Sequence, residues 1–233
     1  MTGTADVGAA PPAEAVAVSG PNRGGLATVL TCLIVVACVA AAVAIGHMWG
    51  ASGSSSGSSI SASSVDAGFA RDMSTHHTQA VTMAGYERDN TSNPSLKVLA
   101  FDIETSQEFQ LGQMQGWLDG WGLGRESSIP QMAWMGHSGR LEGDGLMPGM
   151  ATPDQMSKLQ TLHGAALDID FLQLMIHHHQ GGLPMAQYAA DHAKSPYVRT
   201  LAHAVITAQS NEIVQMEQIL RKLGASPLPP PTT

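Results

Sequence analysis

Cysteine is nearly absent from this sequence of 233 residues. Cys32 and Cys38 both lie in an uncharged apolar run near the N-terminus, and no cysteine follows them. The rest of the chain therefore has neither a disulfide bond nor a thiolate ligand for a metal ion. Any metal site after that run must use other side chains.

Basic residues are also scarce. The chain has 11 lysines and arginines against 19 aspartates and glutamates, which gives a formal net charge of −8. Proteins that bind nucleic acid usually carry a basic patch, and this composition provides none. We therefore predict no nucleic-acid partner.

The motif Glu-x-x-His does not occur anywhere in the chain. Di-iron carboxylate bundles use that pair on two helices, together with glutamates from the other two helices. Its absence argues against ferroxidase or oxygen chemistry. We predict that the protein is not an enzyme, with a zinc-dependent or other metalloenzyme kept as an alternative.

The N-terminal part divides into three segments of different composition. Residues 1–25 are rich in Ala, Gly and Pro and are predicted to be disordered in the cytoplasm. Residues 26–49 include the uncharged run LATVLTCLIVVACVAAAVAI, which is long enough to cross a bilayer. Residues 50–65 have the composition of a flexible Gly/Ser linker.

Three interpretations fit the apolar segment, and all three export the domain that follows. As a transmembrane anchor, the segment follows Arg23 and precedes a stretch without Lys or Arg up to Arg71, so the positive-inside rule places the C-terminal domain outside the cell. A cleaved signal peptide and a lipoprotein signal ending at Cys38 are the alternatives. We favour a single-pass anchor in the cell membrane.

The rest of the chain contains an internal duplication. Residues 73–84, MSTHHTQAVTMA, align without a gap with residues 175–186, MIHHHQGGLPMA. The same register holds over residues 66–122 and 168–224. An ungapped match of this length indicates that one structural unit occurs twice.

Each copy has the pattern of a helical hairpin. Apolar residues recur at helical spacing around the histidine pair. Asn93-Pro94 and Ser195-Pro196 then predict the start of a second helix, because Asn or Ser can cap a helix whose first residue is Pro. No strand pattern competes. The sequence predicts an all-α, ferritin-like four-helix bundle made of two duplicated hairpins.

We assign the duplicated domain to residues 66–224. The first hairpin covers 66–122, and a connection rich in Met and Gly covers 123–152. The second hairpin, with a lead-in helix that begins at a capping box, covers 153–224. Residues 225–233 are a Pro-rich tail. A connection of this length is usually functional or disordered.

The paired histidines and the methionines near them are the candidate metal ligands. They share one broad face of each first helix, and we expect the two faces to meet inside the bundle. The predicted ligands are His76, His77, His178, His179, Met73, Met83, Met175 and Met185. Further candidates for ligation or support are His177, Gln107, Gln209, Glu212, Met114 and Met216.

Imidazole and thioether ligands together favour a soft or borderline metal ion. Copper(I) fits best, with silver or zinc as alternatives. The competing interpretation is that the methionines fill the core and the histidines are buried polar groups of a non-catalytic interaction domain. Five methionines lie in or near the connection with His137, and they form either a second soft-metal site or a flexible cover.

Three stretches of the sequence resemble one bacterial family. They are FLQLMIHHHQGGLPMA at 171–186, AHAVITAQSNEIVQM at 202–216 and MPGMATPDQM at 147–156. They resemble the domain-of-unknown-function family three hundred and five. The resemblance implies a ferritin-like bundle that is exported or membrane-anchored, with copper or silver tolerance in some members. It implies metal handling outside the cell.

Two positions depart from an exact duplication. Gln110 stands where the second copy has Glu212, so the polar line of the first copy is uncharged. Gly181, Gly182 and Pro184 replace larger or helix-compatible residues of the first copy, and Pro184 is expected to kink its helix. The two half-sites are therefore predicted to differ.

Overall fold

The computed structural model describes residues 60–231, apart from the side chains of residues 137 and 138. The predicted N-terminal segments 1–25 and 26–49 lie outside this range, as does most of the predicted linker. Within the described range, no helix is both long enough and apolar enough to span a membrane.

The described residues form an all-helical fold without strands. In chain order the α-helices are α1 (Val65–Asn90), α2 (Pro94–Gly120), α3 (Pro153–Leu159), α4 (Gly164–His192) and α5 (Pro196–Lys222), and a 3-10 helix covers Ala133–Ser138. Helix α1 packs against α2, α4 packs against α5, and α1 packs against α4. The four long helices therefore form two hairpins joined through their histidine-bearing helices.

The predicted helix starts are largely confirmed. The Asn93 side chain accepts hydrogen bonds from the backbone N–H groups of Ser95 and Leu96, with Pro94 at the start of α2. A capping box at Thr152 opens α3. Helix α3 ends before α4 begins, so the lead-in helix and the second histidine helix are separate.

The predicted cap at the start of α5 is not formed. The side chain of Ser195 makes no capping hydrogen bond. Instead, the buried carboxylate of Asp66 in α1 accepts from the backbone N–H of Lys194 at 3.1 Å and of Ser195 at 2.7 Å. A residue of the first hairpin therefore holds the turn that precedes α5.

A left-handed glycine ends each second helix. Gly122 has a φ of 68° and Gly224 a φ of 76°. The residue after each glycine donates its N–H back into the helix, Leu123 to the Leu118 carbonyl and Ala225 to the Leu220 carbonyl. This pattern is the one that glycine makes possible just after a helix C-terminus.

The core consists of two apolar clusters that the duplication relates to each other. The first cluster contains Met73, Met114 and Met185, and the second contains their equivalents Met175, Met216 and Met83. All six are fully buried. The exchange of equivalent residues between the clusters is what a pseudo-twofold axis between the hairpins would produce.

The connection between the hairpins is packed against α1. The buried Asp72 carboxylate accepts from the backbone N–H of Met132 and from the indole Nε1–H of Trp134, both at 2.7 Å. The Trp134 ring lies where a Cβ on Gly68 would be, so that glycine admits the ring. Burial raises the pKa of Asp72, and these two hydrogen bonds oppose that rise.

Candidate metal site in the buried histidine layer

A layer of four imidazoles lies in the interior. His76 and His77 come from α1 and His178 and His179 from α4, and all four are 0% exposed. The rings of His76 and His178 are in contact, with centroids 3.8 Å apart and planes tilted by 38°. The two histidine faces therefore meet inside the fold. We call these four residues the histidine layer.

Two members of the layer are tied to backbone carbonyls. The Nε2 of His76 lies 3.1 Å from the Pro148 oxygen, and the Nε2 of His178 lies 3.0 Å from the His76 oxygen. A carbonyl oxygen can only accept, so each Nε2 must carry the proton and donate it. In a neutral imidazole, this leaves the lone pair on Nδ1.

The other two members are tied to equivalent side chains. The Nε2 of His77 lies 2.7 Å from Oε1 of Gln110, and the Nε2 of His179 lies 2.7 Å from Oε2 of Glu212. The same geometry holds in both hairpins, with an amide in one and a carboxylate in the other. An ionised carboxylate only accepts, so His179 also donates from Nε2.

The inner nitrogens of the layer have no hydrogen-bond partner. The Nδ1 atoms of all four imidazoles are buried and unpaired, as are both polar side-chain atoms of Gln107 and Gln209. An unsatisfied buried polar atom costs about 1–3 kcal/mol, so a protein rarely leaves several together. The four unpaired lone pairs make these imidazoles the candidate ligands of a metal ion.

Burial keeps three members of the layer, His76, His77 and His178, uncharged. Desolvation lowers the pKa of His76 to about 4 and of His77 to about 3, with repulsion from neighbouring imidazoles adding to the effect. Desolvation and the same repulsion lower the pKa of His178 well below its usual value. These imidazoles are neutral near pH 7, which is the state that binds a metal ion.

Gly182 brings three helices together at the layer. A Cβ on this residue of α4 would lie 3.0 Å from Oε1 of Gln209 in α5 and 3.2 Å from Cε1 of His76 in α1. The equivalent residue of the first copy is Ala80. The departure from duplication at Gly182 thus creates the space in which Gln209 approaches His76.

The methionines flank the layer within the apolar clusters on either side of it. Their packing there is that of ordinary core residues, and their role as ligands stays a prediction. His177 does not join the layer. It is only partly buried, and its Nδ1 donates to the Pro229 carbonyl in the C-terminal tail at 2.9 Å.

Sequence reasoning missed one element of the site, the segment 147–151, which we call the strap. The Pro148 carbonyl of the strap binds His76, and the side chain of Gln79 pairs with the Ala151 backbone. Gly149 has a φ of 79°, a conformation that favours glycine. Two signals in the sequence could have indicated the strap. They are this glycine and the replacement of Gln79 by Gly181 in the second copy.

Among residues 60–231, no group of three or more His, Cys, Asp and Glu side chains is arranged to hold a metal ion. Within the layer, the centroids of the His178 and His179 rings are 6.3 Å apart, a wider spacing than between His76 and His178.

The model of the family "Domain of unknown function (DUF305)" matches residues 66–220. The chain belongs to this family. The resemblance seen in the sequence motifs is thereby confirmed, and the histidine layer lies within the matched DUF305 domain. No curated protein shows a significant match to the chain.

Solved structures of DUF305 proteins are similar to this domain. A protein of Streptomyces coelicolor, named as secreted, is 43% identical with a TM-score of 0.68, over 72% of this chain and 99% of that chain. A fragment from Deinococcus radiodurans is 31% identical with a TM-score of 0.57, over 68% of this chain and 96% of that one. The DUF305 region therefore makes up nearly all of both structures.

A third similar structure is CopM in its Cu(I)-bound form. It is 27% identical, with a TM-score of 0.52, over 67% of this chain and 96% of that chain. CopM has also been solved in Cu(II)-bound and silver-bound forms. A structural neighbour of this DUF305 domain thus binds copper and silver.

Proposed function

We propose that this DUF305 domain binds copper(I) or silver(I) outside the cytoplasm and serves to sequester or deliver the ion. The observation that carries the proposal is the histidine layer, in which each Nε2 is held by a hydrogen bond and each Nδ1 is buried without a partner. The copper-bound and silver-bound forms of CopM support it.

The donor set favours a soft ion. The contacting rings of His76 and His178 make their Nδ1 atoms the first ligands, with His77 and His179 beside them. Methionine thioethers lie on either side of the layer, and the domain has no cysteine. Imidazole and thioether together suit Cu(I) and Ag(I) better than a hard cation.

The location outside the cytoplasm rests on two observations. The segment 26–49 is uncharged over a length that can cross a bilayer, and Lys and Arg are absent from there to Arg71. The similar protein of Streptomyces coelicolor is named as secreted. We propose that the apolar segment is an anchor and that the domain lies beyond it.

The test is a metal titration of residues 60–233, a span that keeps the C-terminal tail packed on α4. Cu(I), Ag(I) and Zn(II) would each compete with a chelator of known affinity. In the variant His76→Gln/His178→Gln we expect Cu(I) and Ag(I) affinity to fall by about a hundredfold, the scale seen when ligands or their supports are lost. His177→Ala, which removes a ring hydrogen-bonded to the tail and outside the histidine layer, is the matched control.

Three results would contradict the proposal in different ways. Unchanged Cu(I) affinity in the double variant would move the site to the methionines of the connection. Tight Zn(II) binding alone would favour the metalloenzyme alternative. No binding of any of the three ions would leave the histidines as polar residues of a structural core.

A further inference from the structure

The strap crosses the histidine layer at two equivalent positions of the duplicated helices. On α1, Gln79 pairs with both backbone groups of Ala151: its Nε2 donates to the Ala151 oxygen at 2.9 Å, and the Ala151 N–H donates to its Oε1 at 2.7 Å. On α4, the equivalent residue is Gly181, where a Cβ would overlap the Pro148 carbonyl oxygen. One position fastens the strap, and its counterpart makes room for it.

The strap also fixes the state of one candidate ligand. His178 donates its Nε2–H to a carbonyl within α1, whereas His76 donates to the Pro148 carbonyl of the strap. A hydrogen bond from Nε2 keeps the lone pair on Nδ1, as the partner of a metal-binding histidine usually does. His76 has this support only while the strap is in place.

An ion can reach the layer only if part of the protein moves, because all four imidazoles are fully buried. The long helices are held by apolar packing along their length. At the layer, the strap is held by the Gln79 pair, the His76 hydrogen bond, close backbone contact at Gly181 and the burial of Met147 and Ala151 in the two clusters. Local opening favours segments outside regular helices, and the strap is a non-helical segment that contacts the layer.

We propose that the strap is the access route to the histidine layer, and that Gln79 is a positioning residue that holds the strap closed and thereby keeps His76 Nδ1 ready as a ligand. The ion enters when the Gln79–Ala151 pair separates and the strap lifts from Gly181. This inference rests on the proposed function, because it assigns the path to the same site.

Two substitutions act on opposite sides of the strap. Gln79→Ala removes the fastening on α1, and Gly181→Ala places a methyl group where the Pro148 oxygen now lies on α4. Gln173→Ala is the matched control, because the Gln173 amide also donates to a backbone carbonyl, that of Ser226 in the tail, at 2.7 Å. Each strap variant should increase access to the layer, and the control should not.

Access is measured without a metal ion by acylation with diethyl pyrocarbonate, which reacts with neutral imidazole nitrogen. The full chain in detergent micelles would be treated for increasing times, and peptides carrying His76 and His178 followed by mass spectrometry. The acylation rate of the exposed His203 serves as the reference for the activity of the reagent. We expect His76 and His178 to react about tenfold faster in both strap variants, since lost hydrogen bonds raise the open population.

Equal acylation rates in the native protein, the control and the strap variants would overturn the inference. Circular dichroism identifies a strap variant that has unfolded. The acylation rates of the other strap variant then decide whether the inference holds. If neither folds, hydrogen exchange of the native chain decides: an Ala151 amide that exchanges no faster than the slowest core amides would overturn the inference, and faster exchange would support it.

Silver-binding kinetics separate this inference from the proposed function. Stopped-flow mixing with Ag(I) should show faster association and faster dissociation in Gln79→Ala than in the native chain. If Ag(I) does not bind at all, the proposed function fails while the acylation rates still decide the role of the strap. If Ag(I) binds at equal rates in both proteins, the strap inference fails and the metal site stands.

Discussion

At the scale of single residues, the departures from exact duplication define the site. Gln79 and Gly181 occupy equivalent positions, and so do Ala80 and Gly182. The structure gives each of the two glycines on α4 a contact that a Cβ would obstruct. The sequence predicted that the half-sites would differ, but it could not show that the glycines make room for the strap and for Gln209.

Gly182→Ala tests the packing of the layer. Its Cβ would lie 3.0 Å from Oε1 of Gln209 and 3.2 Å from Cε1 of His76, so these side chains must shift. We expect the variant to lose about 1–3 kcal/mol of unfolding free energy, as overpacked cores do, and to bind Ag(I) more weakly. Urea unfolding and a silver titration measure the two effects.

Gly112→Ala is the matched control for that substitution. Gly112 also lies within a helix, but nothing lies within 4 Å of the position where its Cβ would be. Alanine should therefore stabilise the protein, by about 1 kcal/mol at most, through helix propensity. Equal effects of the two substitutions would mean that the space at Gly182 does not matter to the layer.

Glu87 provides a pH dependence away from the histidine layer. Burial and the nearby Asp168 carboxylate raise the pKa of Glu87 to about 8 from an ordinary value of 4.5. The folded state therefore keeps a proton that the unfolded chain has lost. Its stabilisation is fully present below pH 4.5 and is lost as pH rises through about 8. Urea unfolding of Glu87→Gln should lack this decline.

At the scale of helices and connections, the local sequence predicted where helices begin and end better than it predicted contacts between distant segments. Asn93, Thr152 and the glycines that follow α2 and α5 act through neighbours in sequence, so their patterns could be read directly. Ser195 makes no cap, and the turn before α5 is held instead by Asp66, which is far away in sequence. The packing of the connection was missed for the same reason, since it depends on Asp72 and Gln79.

Asp72→Ala tests the attachment of the connection to α1. It leaves the backbone N–H of Met132 and the indole N–H of Trp134 buried without an acceptor. We expect a loss of about 1–3 kcal/mol in unfolding free energy and a red shift of the tryptophan emission. Asp89→Ala, at an exposed carboxylate paired with Arg88, should leave stability close to that of the native protein. Similar losses in both variants would contradict a specific anchor at Asp72.

At the scale of the whole molecule, the fold couples its stability to acid through the buried imidazoles. Unfolded histidine takes up a proton near pH 6.5, whereas burial holds the pKa of His76 at about 4 and of His77 at about 3. The unfolded state thus binds more protons as pH falls through this window. The contribution of these imidazoles to the unfolding free energy should be fully present above pH 6.5 and decrease steadily below it.

Urea midpoints of the metal-free domain between about pH 7 and about pH 4.5 measure this decline. His77→Gln removes one of the two titrations and should give a shallower slope over the same range. A slope that is identical in the two proteins would show that His77 is accessible to protons in the folded state, and so would contradict its burial.

The single connection has a consequence for how such a fold can arise from two equal halves. Two identical hairpins would have either two glutamines or two glycines at the positions of Gln79 and Gly181. The strap, however, passes between the hairpins only once. Neither symmetric arrangement can both hold Ala151 and admit Pro148. Once the halves are joined in one chain, the connection contacts the two equivalent positions differently, so different residues are favoured there. A homodimer of either hairpin would lack the connection and would therefore leave the histidine layer without the strap.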